Sequence, residues 1–347
     1  MSIILKVEDL VTKFHTFDGV VHALNKVSFH LNEGETLAIV GESGSGKSVT
    51  MMSLLHLLPS PPAKVEGGRA LFNDNGKEID LLKLSKKQMF KIRGGKLGFV
   101  QNISDIRGGK IGFIFQDAMS ALNPVLTIGA QIMEPITEHL KLNRESAKKR
   151  AIEMLEIVGI ADPERRFDTY PHQLSGGMRQ RAMIALAISC NPKILIADEP
   201  TTALDVTIQA QVIEVIKKIQ RELNISVIWI THDLSVVAGM ADRVLVMYAG
   251  SSLEEAIVDD LFEKPAHPYT AGLLDALPRM DSGHDRRLAS IEGSPPDLLI
   301  KPKHCQFAFR CTYAFEKCWK EIPELSEIAD GHSVACFYDM EKGEPVR

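Results

Sequence analysis

Short apolar segments alternate with longer segments of helical periodicity through the middle of the chain. Apolar runs of strand length lie at 36–40, 193–198, 226–230 and 243–247, and residues 206–223 have a helical pattern. Strands without polar positions are typical of parallel sheets that helices cover on both faces. The pattern therefore predicts an α/β fold with a mostly parallel core sheet.

Two regions depart from this alternation. Residues 3–31 alternate apolar and polar side chains, which predicts antiparallel strands joined by a tight turn at 17–20. From about 118 to 190 the apolar positions follow a helical period. We therefore expect an antiparallel β subdomain and an α-helical subdomain beside the core sheet.

The chain also contains a short tandem duplication. Residues 92–100 recur nearly unchanged as residues 106–114, directly after a segment, 85–92, for which we predict a helix. Only one copy can be a strand of the core sheet. We expect the second copy to be that strand, because it runs directly into Phe115 and Gln116, and the first copy to be a surface excursion.

The composition changes beyond about residue 260, where prolines become frequent and strands are hard to assign. We therefore divide the chain into residues 1–259 and a separate C-terminal module, 260–347. Four of the five cysteines crowd this module, and in a reducing compartment such crowding favours metal binding over disulfides. Four thiolates suit either structural Zn²⁺ or a [4Fe–4S] cluster. The cysteines are Cys305, Cys311, Cys318 and Cys336.

Overall composition excludes several classes of protein. Hydrophobic residues make up 45% and charged residues 24%, which is normal for a globular protein with a sizeable core. The net charge of -5 gives no electrostatic support for a nucleic-acid partner. No apolar run is long enough to span a membrane and the first residues lack a signal-peptide core, so we expect a cytoplasmic protein.

The segment 41–48 reads GESGSGKS and matches the phosphate-binding pattern G-x-x-x-x-G-K-S/T. It lies between the predicted strand at 36–40 and a predicted helix at 49–55. Its glycines let several N–H groups converge on an anion at a helix N-terminus. Lys47 is expected to contact the β- and γ-phosphates, and the Ser48 hydroxyl to bind Mg²⁺. The residues predicted to bind ATP here are Gly41, Ser43, Gly44, Ser45, Gly46, Lys47, Ser48 and Val49.

Two acidic residues provide the chemistry that a phosphate loop needs. Asp198 ends a buried strand, where it can bind Mg²⁺ directly or through water. Glu199 follows it and is the predicted general base for the attacking water.

A second anion-binding device precedes these acids, where Ser175 and two glycines open a predicted helix at 178–189. One nucleotide does not need both devices from a single chain. We therefore expect a head-to-tail pair, in which each ATP lies between the phosphate loop of one chain and the Ser-Gly-Gly segment of the other.

The order and spacing of these motifs resemble the ABC-transporter ATPases over about residues 3–258. Residues 41–48 are similar to Walker A, 194–199 to Walker B, and 203–205, which ends in Asp205, to the D-loop. The resemblance implies a P-loop NTPase fold that binds and hydrolyses ATP with Mg²⁺. The signature residues that it implies, which contact ATP from the facing chain, are Leu174, Ser175, Gly176, Gly177 and Gln180.

The same resemblance assigns three further site residues. It implies that Gln116 contacts Mg²⁺ and the attacking water, and that His232 contacts the γ-phosphate. It implies Phe14 as the aromatic side chain that stacks on adenine. The Mg²⁺ ligands are then Ser48, Gln116 and Asp198.

The C-terminal module resembles the extension of dipeptide/oligopeptide permease ATPases, through segments 264–270 and 293–296 and through its cysteine pattern. This resemblance favours a [4Fe–4S] cluster over Zn²⁺. It implies an ATPase subunit that drives peptide import from the inner face of the cell membrane. The expected partners are two transmembrane permease subunits, a second ABC ATPase or another copy of this chain, and indirectly an extracytoplasmic solute-binding protein, with no nucleic acid.

Two alternatives remain at this point. The ATPase of a nickel or other small-solute importer is similar in sequence, because specificity lies in other subunits. A soluble ABC ATPase of DNA repair or translation is the other class. It is disfavoured because no long coiled coil precedes the signature and only one cassette is present.

Overall fold

The computed structural model describes residues 2–84, 109–202, 204–277 and 291–346. The predicted helix at 85–92, the first repeat copy at 92–100 and the D-loop residue Ala203 lie outside the described residues. No helix in the four described ranges has the length and apolarity needed to cross a bilayer.

The elements follow the order that the hydrophobic pattern predicts over most of the chain. The strands are β1 (Ile3–Thr16), β2 (Gly19–Asn32), β3 (Thr36–Val40), β4 (Ala63–Asp74), β5 (Lys77–Asp80), β6 (Ile111–Ile114), β7 (Ile194–Asp198), β8 (Ser226–Thr231), β9 (Arg243–Tyr248), β10 (Ser251–Ile257), β11 (Ser326–Ala329), β12 (His332–Val334), β13 (Tyr338–Asp339) and β14 (Glu344–Pro345). The helices are α1 (Lys47–Leu54), α2 (Ala118–Ala121), α3 (Ile128–His139), α4 (Arg144–Ile157), α5 (Pro163–Phe167), α6 (Gly176–Ile188), α7 (Val206–Leu223), α8 (Leu234–Val237), α9 (Val258–Glu263) and α10 (Pro268–Asp275).

The chain forms two compact units, and each is built from separate segments of the sequence. The first unit comprises the described residues of 1–2, 32–35 and 83–230. The second unit comprises the described residues of 3–31, 36–82 and 231–347.

The first unit contains three parallel strands in the order β8-β7-β6. Every side chain of β6 and β7 is buried, as expected for apolar strands inside a parallel sheet. Strand β6 comes from the second copy of the duplication and pairs with β7 through Ile111 and Ile194. The prediction that the second copy supplies a strand of the core sheet is therefore confirmed.

The helical part of this unit lies between β6 and β7 in sequence and comprises α2 to α6. Its longer helices begin at polar residues whose side chains accept a hydrogen bond from the first turn. Thr127 caps α3, Asn143 caps α4 and Ser175 caps α6 in this way. Such caps satisfy backbone N–H groups that have no partner inside the helix. Local sequence thus fixes where these helices begin.

The second unit contains an antiparallel sheet in the order β2-β1-β4-β5. The predicted strands of residues 3–31 are β1 and β2, which are neighbours in this sheet with a two-residue turn at 17–18 between them. Strand β4 then pairs with β1 along most of its length, from Phe72 opposite Leu5 to Ala63 opposite Phe14.

The strands of the other sheet within this unit are ordered β11-β12-β10-β9-β3. Strands β3 and β9 are parallel, and the remaining pairs are antiparallel. Strands are hard to assign from the sequence beyond about residue 260, and the structure shows that β11 and β12 lie there and extend the sheet from β10. Glu254 and Glu255 interrupt the apolar pattern of β10, and β12 has three residues, so neither strand has a recognisable signal in the sequence.

Candidate functional site

The segment between β3 and α1 contains two positions, Gly41 and Gly46, where the backbone conformation and the close neighbours leave no room for a side chain. Gly41 has φ 148°, and a Cβ there would lie 2.1 Å from the carbonyl oxygen of Met247. Gly46 has φ 101°, and a Cβ there would lie 2.8 Å from the Leu24 side chain. The loop is therefore held tightly between neighbouring strands, and its shape depends on these glycines.

The lysine of this loop, Lys47, forms hydrogen bonds with backbone carbonyls of the same loop. Lys47 is 5% exposed, and its Nζ donates hydrogen bonds to the carbonyl oxygens of Gly41 at 2.7 Å and Glu42 at 3.0 Å. The buried hydroxyl of Ser45 has no hydrogen-bond partner among the described residues. Ser43 and Gly44 are exposed, whereas Ser48 and Val49 are half-buried in the first turn of α1. An ammonium group, an unpaired hydroxyl and a helix N-terminus in one loop fit an anionic ligand.

A second set of predicted residues lies at the end of β7 in the first unit. Asp198 ends the strand and is 5% exposed. Glu199 has φ 45°, which is strained for a residue with a side chain, and its N–H donates to the carbonyl of Ile230 at 2.9 Å. The carboxylate Oε2 of Glu199 accepts hydrogen bonds from Gln116 Nε2 at 3.1 Å and from Thr202 Oγ1 at 2.8 Å. The structure thus brings Gln116 and Glu199 together.

The sequence analysis did not identify Thr202 as part of this group. It follows Glu199 by three residues within a turn, which is a common spacing for a side chain that hydrogen-bonds back to its own segment. The two hydrogen bonds hold one oxygen of the Glu199 carboxylate. The side chains of Gln116 and Thr202 therefore fix the orientation of the Glu199 carboxylate.

The Ser-Gly-Gly segment forms an exposed helix N-terminus in the same unit. Ser175 caps α6 by accepting a hydrogen bond from the N–H of Met178 at 3.3 Å, and nothing lies within 4 Å of a Cβ placed on Gly176. Leu174, by contrast, is buried. A Cβ on Gly177 would lie 3.0 Å from Ile208 of α7, so this glycine allows the two helices to approach. The arrangement leaves a helix N-terminus open to an anion.

Gln180, one turn into α6, is buried and has a structural contact. Its Nε2 donates to the carbonyl of Pro200 at 2.6 Å. This hydrogen bond joins the signature helix to the segment that carries Glu199 and Thr202.

Three further predicted residues are Asp205, His232 and Phe14. Asp205 caps α7 by accepting a hydrogen bond from the N–H of Ile208 at 2.9 Å. His232 is exposed and follows β8, and Phe14 is half-buried near the end of β1. Their contacts with a nucleotide stay predictions.

The four C-terminal thiols are largely withdrawn from water and are not paired in disulfides. Burial raises the pKa of Cys305 to about 11 and that of Cys336 to about 12, and the negative charges of neighbouring cysteines add to both shifts. Within the part of the chain that the structure describes, no three or more His, Cys, Asp or Glu side chains are arranged to hold a metal ion. The predicted metal-bound module is therefore not shown. The charges of the other three cysteines also raise the pKa of Cys336, so the four thiols lie near one another. Four cysteine thiols are nevertheless the kind of donor set that binds thiophilic metals.

The fold and these residues define an ATP-hydrolysing P-loop protein with a signature helix, which is the ABC class of ATPase. Residues 24–202 match the ABC transporter family, and residues 253–318 match the C-terminal region of oligopeptide/dipeptide transporters. The chain belongs to the ABC transporter family, as an ATP-binding subunit of the oligopeptide/dipeptide permease type.

Curated relatives span nearly the whole chain. It is 49% identical over 345 residues to the oligopeptide transport ATP-binding protein OppD of Bacillus subtilis (strain 168), covering 99% of this chain and 91% of the relative. It is 50% identical over 344 residues to the dipeptide transport ATP-binding protein DppD of the same organism, covering 99% and 97%. ATP-binding subunits of this kind work with membrane permease subunits.

Solved structures support the same fold. A dimeric ATP-binding cassette in a post-hydrolysis state, bound to ADP and Pi, is 29% identical with a TM-score of 0.60, over 73% of this chain and 98% of that one. The protein cbiO1 from Clostridium perfringens, part of the ABC transporter complex cbiONQ, is 30% identical with a TM-score of 0.60, over 76% and 92%.

Proposed function

We propose that this protein hydrolyses ATP to drive the import of dipeptides or oligopeptides through separate membrane subunits. The observation that carries the proposal is the combination of an ABC cassette at 24–202 with the oligopeptide/dipeptide transporter C-terminal region at 253–318 in one chain. Relatives named as oligopeptide or dipeptide transport proteins are similar to this chain over almost its full length.

The proposed arrangement is a head-to-tail pair with two composite ATP sites. Lys47 and the backbone N–H groups of its loop hold the triphosphate from one side. The N-terminus of α6, with Ser175, Gly176 and Gly177, contacts the same triphosphate from the facing chain. Because both chains bind one anion, ATP favours the closed pair, and loss of the γ-phosphate lets the pair open.

Within each site, the proposed general base is Glu199, whose carboxylate takes a proton from the attacking water. Its hydrogen bonds with Gln116 and Thr202 orient that carboxylate. His232 is assigned to the γ-phosphate and Phe14 to the adenine ring. Ser48, Gln116 and Asp198 would hold Mg²⁺, which would supply positive charge beside the phosphate oxygens.

We assign residues 1–259 to the nucleotide-binding domain and 260–347 to the extension. The proposed partners are two permease subunits, with a second ABC ATPase or another copy of this chain completing the pair, and the solute-binding protein acts indirectly. The helical region of about 118–190 would contact the permease subunits. We therefore propose that the protein lies on the inner face of the cell membrane.

The test is transport by the reconstituted complex. The chain is purified with the membrane subunits and solute-binding protein that associate with it, and the complex is placed in proteoliposomes with ATP. Labelled oligopeptide is expected to accumulate and to stimulate ATP hydrolysis several-fold, and a Glu199→Gln complex is expected to do neither. Accumulation of nickel or another small solute in place of peptide would contradict the peptide assignment. ATP hydrolysis with no accumulated solute would contradict a role in transport.

We further propose that Cys305, Cys311, Cys318 and Cys336 hold a [4Fe–4S] cluster that stabilises the extension. The donor chemistry supports this, because the other three cysteines lie close enough to Cys336 for their charges to affect its pKa, and cysteine thiolates are the ligands that iron–sulfur clusters use. Protein purified without oxygen is expected to contain about four iron and four sulfide per chain. It is expected to absorb visible light, and Cys311→Ser is expected to remove this absorption. A colourless protein with about one zinc per chain would contradict the iron–sulfur assignment.

A further inference from the structure

The second residue of the phosphate loop, Glu42, is bound by a side chain that lies 268 positions away in sequence. Arg310 Nη1 donates to Glu42 Oε2 at 2.8 Å, and Nη2 donates to Glu42 Oε1 at 3.0 Å. This is a bidentate pair, the geometry in which guanidinium and carboxylate bind most strongly. The Arg310 side chain is 5% exposed and the Glu42 side chain is 28% exposed, so only the guanidinium is fully withdrawn from water.

The other donors of Arg310 are also used. Nε donates to the carbonyl of Glu292 at 3.0 Å, and Nη2 also donates to the carbonyl of Ile291 at 3.0 Å. Nη1 additionally donates to Tyr248 Oη at 3.3 Å. Arg310 is therefore held rigidly by the C-terminal region while it binds the loop.

The main chain of Glu42 is held as well. Its N–H donates to Tyr269 Oη at 2.9 Å, and Tyr269 is fully buried against Tyr248 and Phe307. A cavity of about 160 Å³ lies beside loop residues 42–45 and is lined on its other side by the C-terminal segment that contains Pro295, Pro296 and Leu298. Both the backbone N–H and the carboxylate of Glu42 thus form hydrogen bonds with residues of the C-terminal region, Tyr269 and Arg310.

This matters because Glu42 belongs to the predicted anion-binding loop. A free carboxylate there would repel a triphosphate a few ångströms away, and the repulsion is strong where water is excluded. The carbonyl of the same residue accepts a hydrogen bond from Lys47 Nζ, so a shift of Glu42 also moves the lysine.

We propose that Arg310 and Tyr269 are positioning residues of the nucleotide site. Arg310 neutralises the Glu42 carboxylate, and Tyr269 fixes the Glu42 backbone, so that the loop keeps a shape and a charge that accept phosphate. The proposal rests on the assignment of residues 41–48 as the phosphate site, and it is independent of the transported solute. It gives the C-terminal region a part in ATP binding.

The test is a double-mutant cycle on ATP affinity. Arg310→Gln leaves the Glu42 carboxylate without its guanidinium partner, and the dissociation constant for ATP is expected to rise about tenfold to a hundredfold. Glu42→Gln alone is expected to raise it less than Arg310→Gln does, because the amide carries no charge that repels phosphate. The double variant Glu42→Gln/Arg310→Gln is expected to bind ATP within about threefold of the unaltered protein, because the repelling charge is gone. Fluorescent-nucleotide titration measures all three constants.

Two further measurements separate positioning from folding. For Arg310→Gln, KM for ATP is expected to rise with kcat within about threefold of the unaltered value, because the groups around Glu199 are unchanged. Tyr269→Phe keeps the ring and removes the acceptor of the Glu42 N–H, so a smaller rise of about threefold to tenfold in the dissociation constant is expected. Arg69→Gln, which removes a 60% exposed partner of Glu8, is the matched control and is expected to leave ATP affinity unchanged.

The variant Lys47→Ala separates a failure of the phosphate-site assignment from a failure of the positioning proposal. If Lys47→Ala binds ATP normally, residues 41–48 are not the phosphate site and the underlying assignment fails. If Lys47→Ala loses binding but Arg310→Gln binds normally, the positioning proposal is overturned. An affinity loss in Arg310→Gln that Glu42→Gln does not reverse would also overturn it, because the arginine would then act only on folding.

Discussion

Glu199, the proposed general base, has a strained backbone. A left-handed backbone costs a residue with a side chain about 1–3 kcal/mol, and such strain persists only where neighbouring contacts compensate for it. Here the compensation comes from the N–H bond to Ile230 and from two hydrogen bonds on one carboxylate oxygen. The strain places the carboxylate beyond the end of β7, where a general base is expected.

Glu199→Gln is therefore expected to abolish turnover and leave ATP binding intact. The amide keeps the shape of the side chain but cannot take a proton from water, and loss of a general base lowers a rate about 10²- to 10⁴-fold. Steady-state hydrolysis and equilibrium nucleotide titration measure the two properties. Turnover within about tenfold of the unaltered protein would show that Glu199 is not the base.

His267 shows a residue-scale dependence of stability on pH. It is fully buried at the start of α10, and burial lowers its pKa to about 4. Its Nδ1 accepts the N–H of Tyr269 at 3.0 Å, and its own backbone N–H donates to the buried Glu254 carboxylate at 2.9 Å. Glu254 also accepts from His332 Nε2 at 2.8 Å. The neutral imidazole is thus required as a helix cap.

We expect the protein to lose stability on this account as the pH falls from about 6.5 to about 4. The unfolded chain binds a proton near pH 6.5, whereas folded His267 has a pKa of about 4, so acid favours the unfolded state throughout this range. The stabilisation is fully present above pH 6.5, and about 3 kcal/mol of it is lost by pH 4.

The matched control is His267→Asn, because asparagine can cap the helix but does not titrate. Denaturant unfolding at several pH values is expected to give the unaltered protein the steeper acid decline. Parallel declines for the two proteins would contradict the assignment of this effect to His267.

At the scale of elements, the sequence predicted most of the strands and helices that have a strong local pattern. β3 and α7 have the predicted bounds, and β7 and α6 differ from them by one or two residues, because apolar runs and capping residues determine these elements locally. The strands β10, β11 and β12 were not predicted. Strand β10 contains the buried Glu254, whose carboxylate accepts hydrogen bonds from His332 Nε2 and from the backbone N–H groups of Ala266 and His267, and no local pattern predicts these partners.

The same distinction applies to the candidate site. The loop at 41–48, the pair of acids and the signature helix were all evident from short motifs. The contacts of Glu42 with Arg310 and Tyr269 were not, because they join residues hundreds of positions apart and no local pattern records such a pairing.

Gly41→Ala tests the geometry of the phosphate loop. The added Cβ would lie 2.1 Å from the carbonyl of Met247 at a φ that alanine disfavours, so we expect a loss of at least about 2 kcal/mol in unfolding free energy together with weaker ATP binding. Gly239→Ala is the control, because nothing lies within 4 Å of its added Cβ. Denaturant unfolding compares the two variants, and equal stability and affinity would contradict the close approach at Gly41.

The C-terminal elements are expected to influence the nucleotide loop. Cys311 follows Arg310 directly, and its N–H donates to the carbonyl of Ala308 at 3.3 Å. If Cys311 is a cluster ligand, Cys311→Ser loosens this turn and is expected to weaken ATP binding several-fold through Arg310. Cys190→Ser, a buried cysteine in the other unit, is the control and is expected to leave ATP affinity unchanged. Unchanged affinity in Cys311→Ser would show that the cysteines do not support the loop.

At the scale of the whole molecule, the chain carries two predicted anion-binding devices, one in each compact unit. The phosphate loop belongs to the second unit and the exposed N-terminus of α6 to the first. A single triphosphate that binds both devices from two chains explains why one polypeptide carries both. It also couples ATP binding to association, and this coupling is the central claim of the proposed transport mechanism.

Sedimentation velocity of the Glu199→Gln variant, alone and mixed with any ABC ATPase that co-purifies with it, tests this claim most directly. Mg-ATP is expected to double the sedimenting mass, ADP is not, and Ser175→Arg in the same background is expected to prevent the doubling. A variant that binds Mg-ATP yet sediments as a single chain, both alone and in the mixture, would contradict the account.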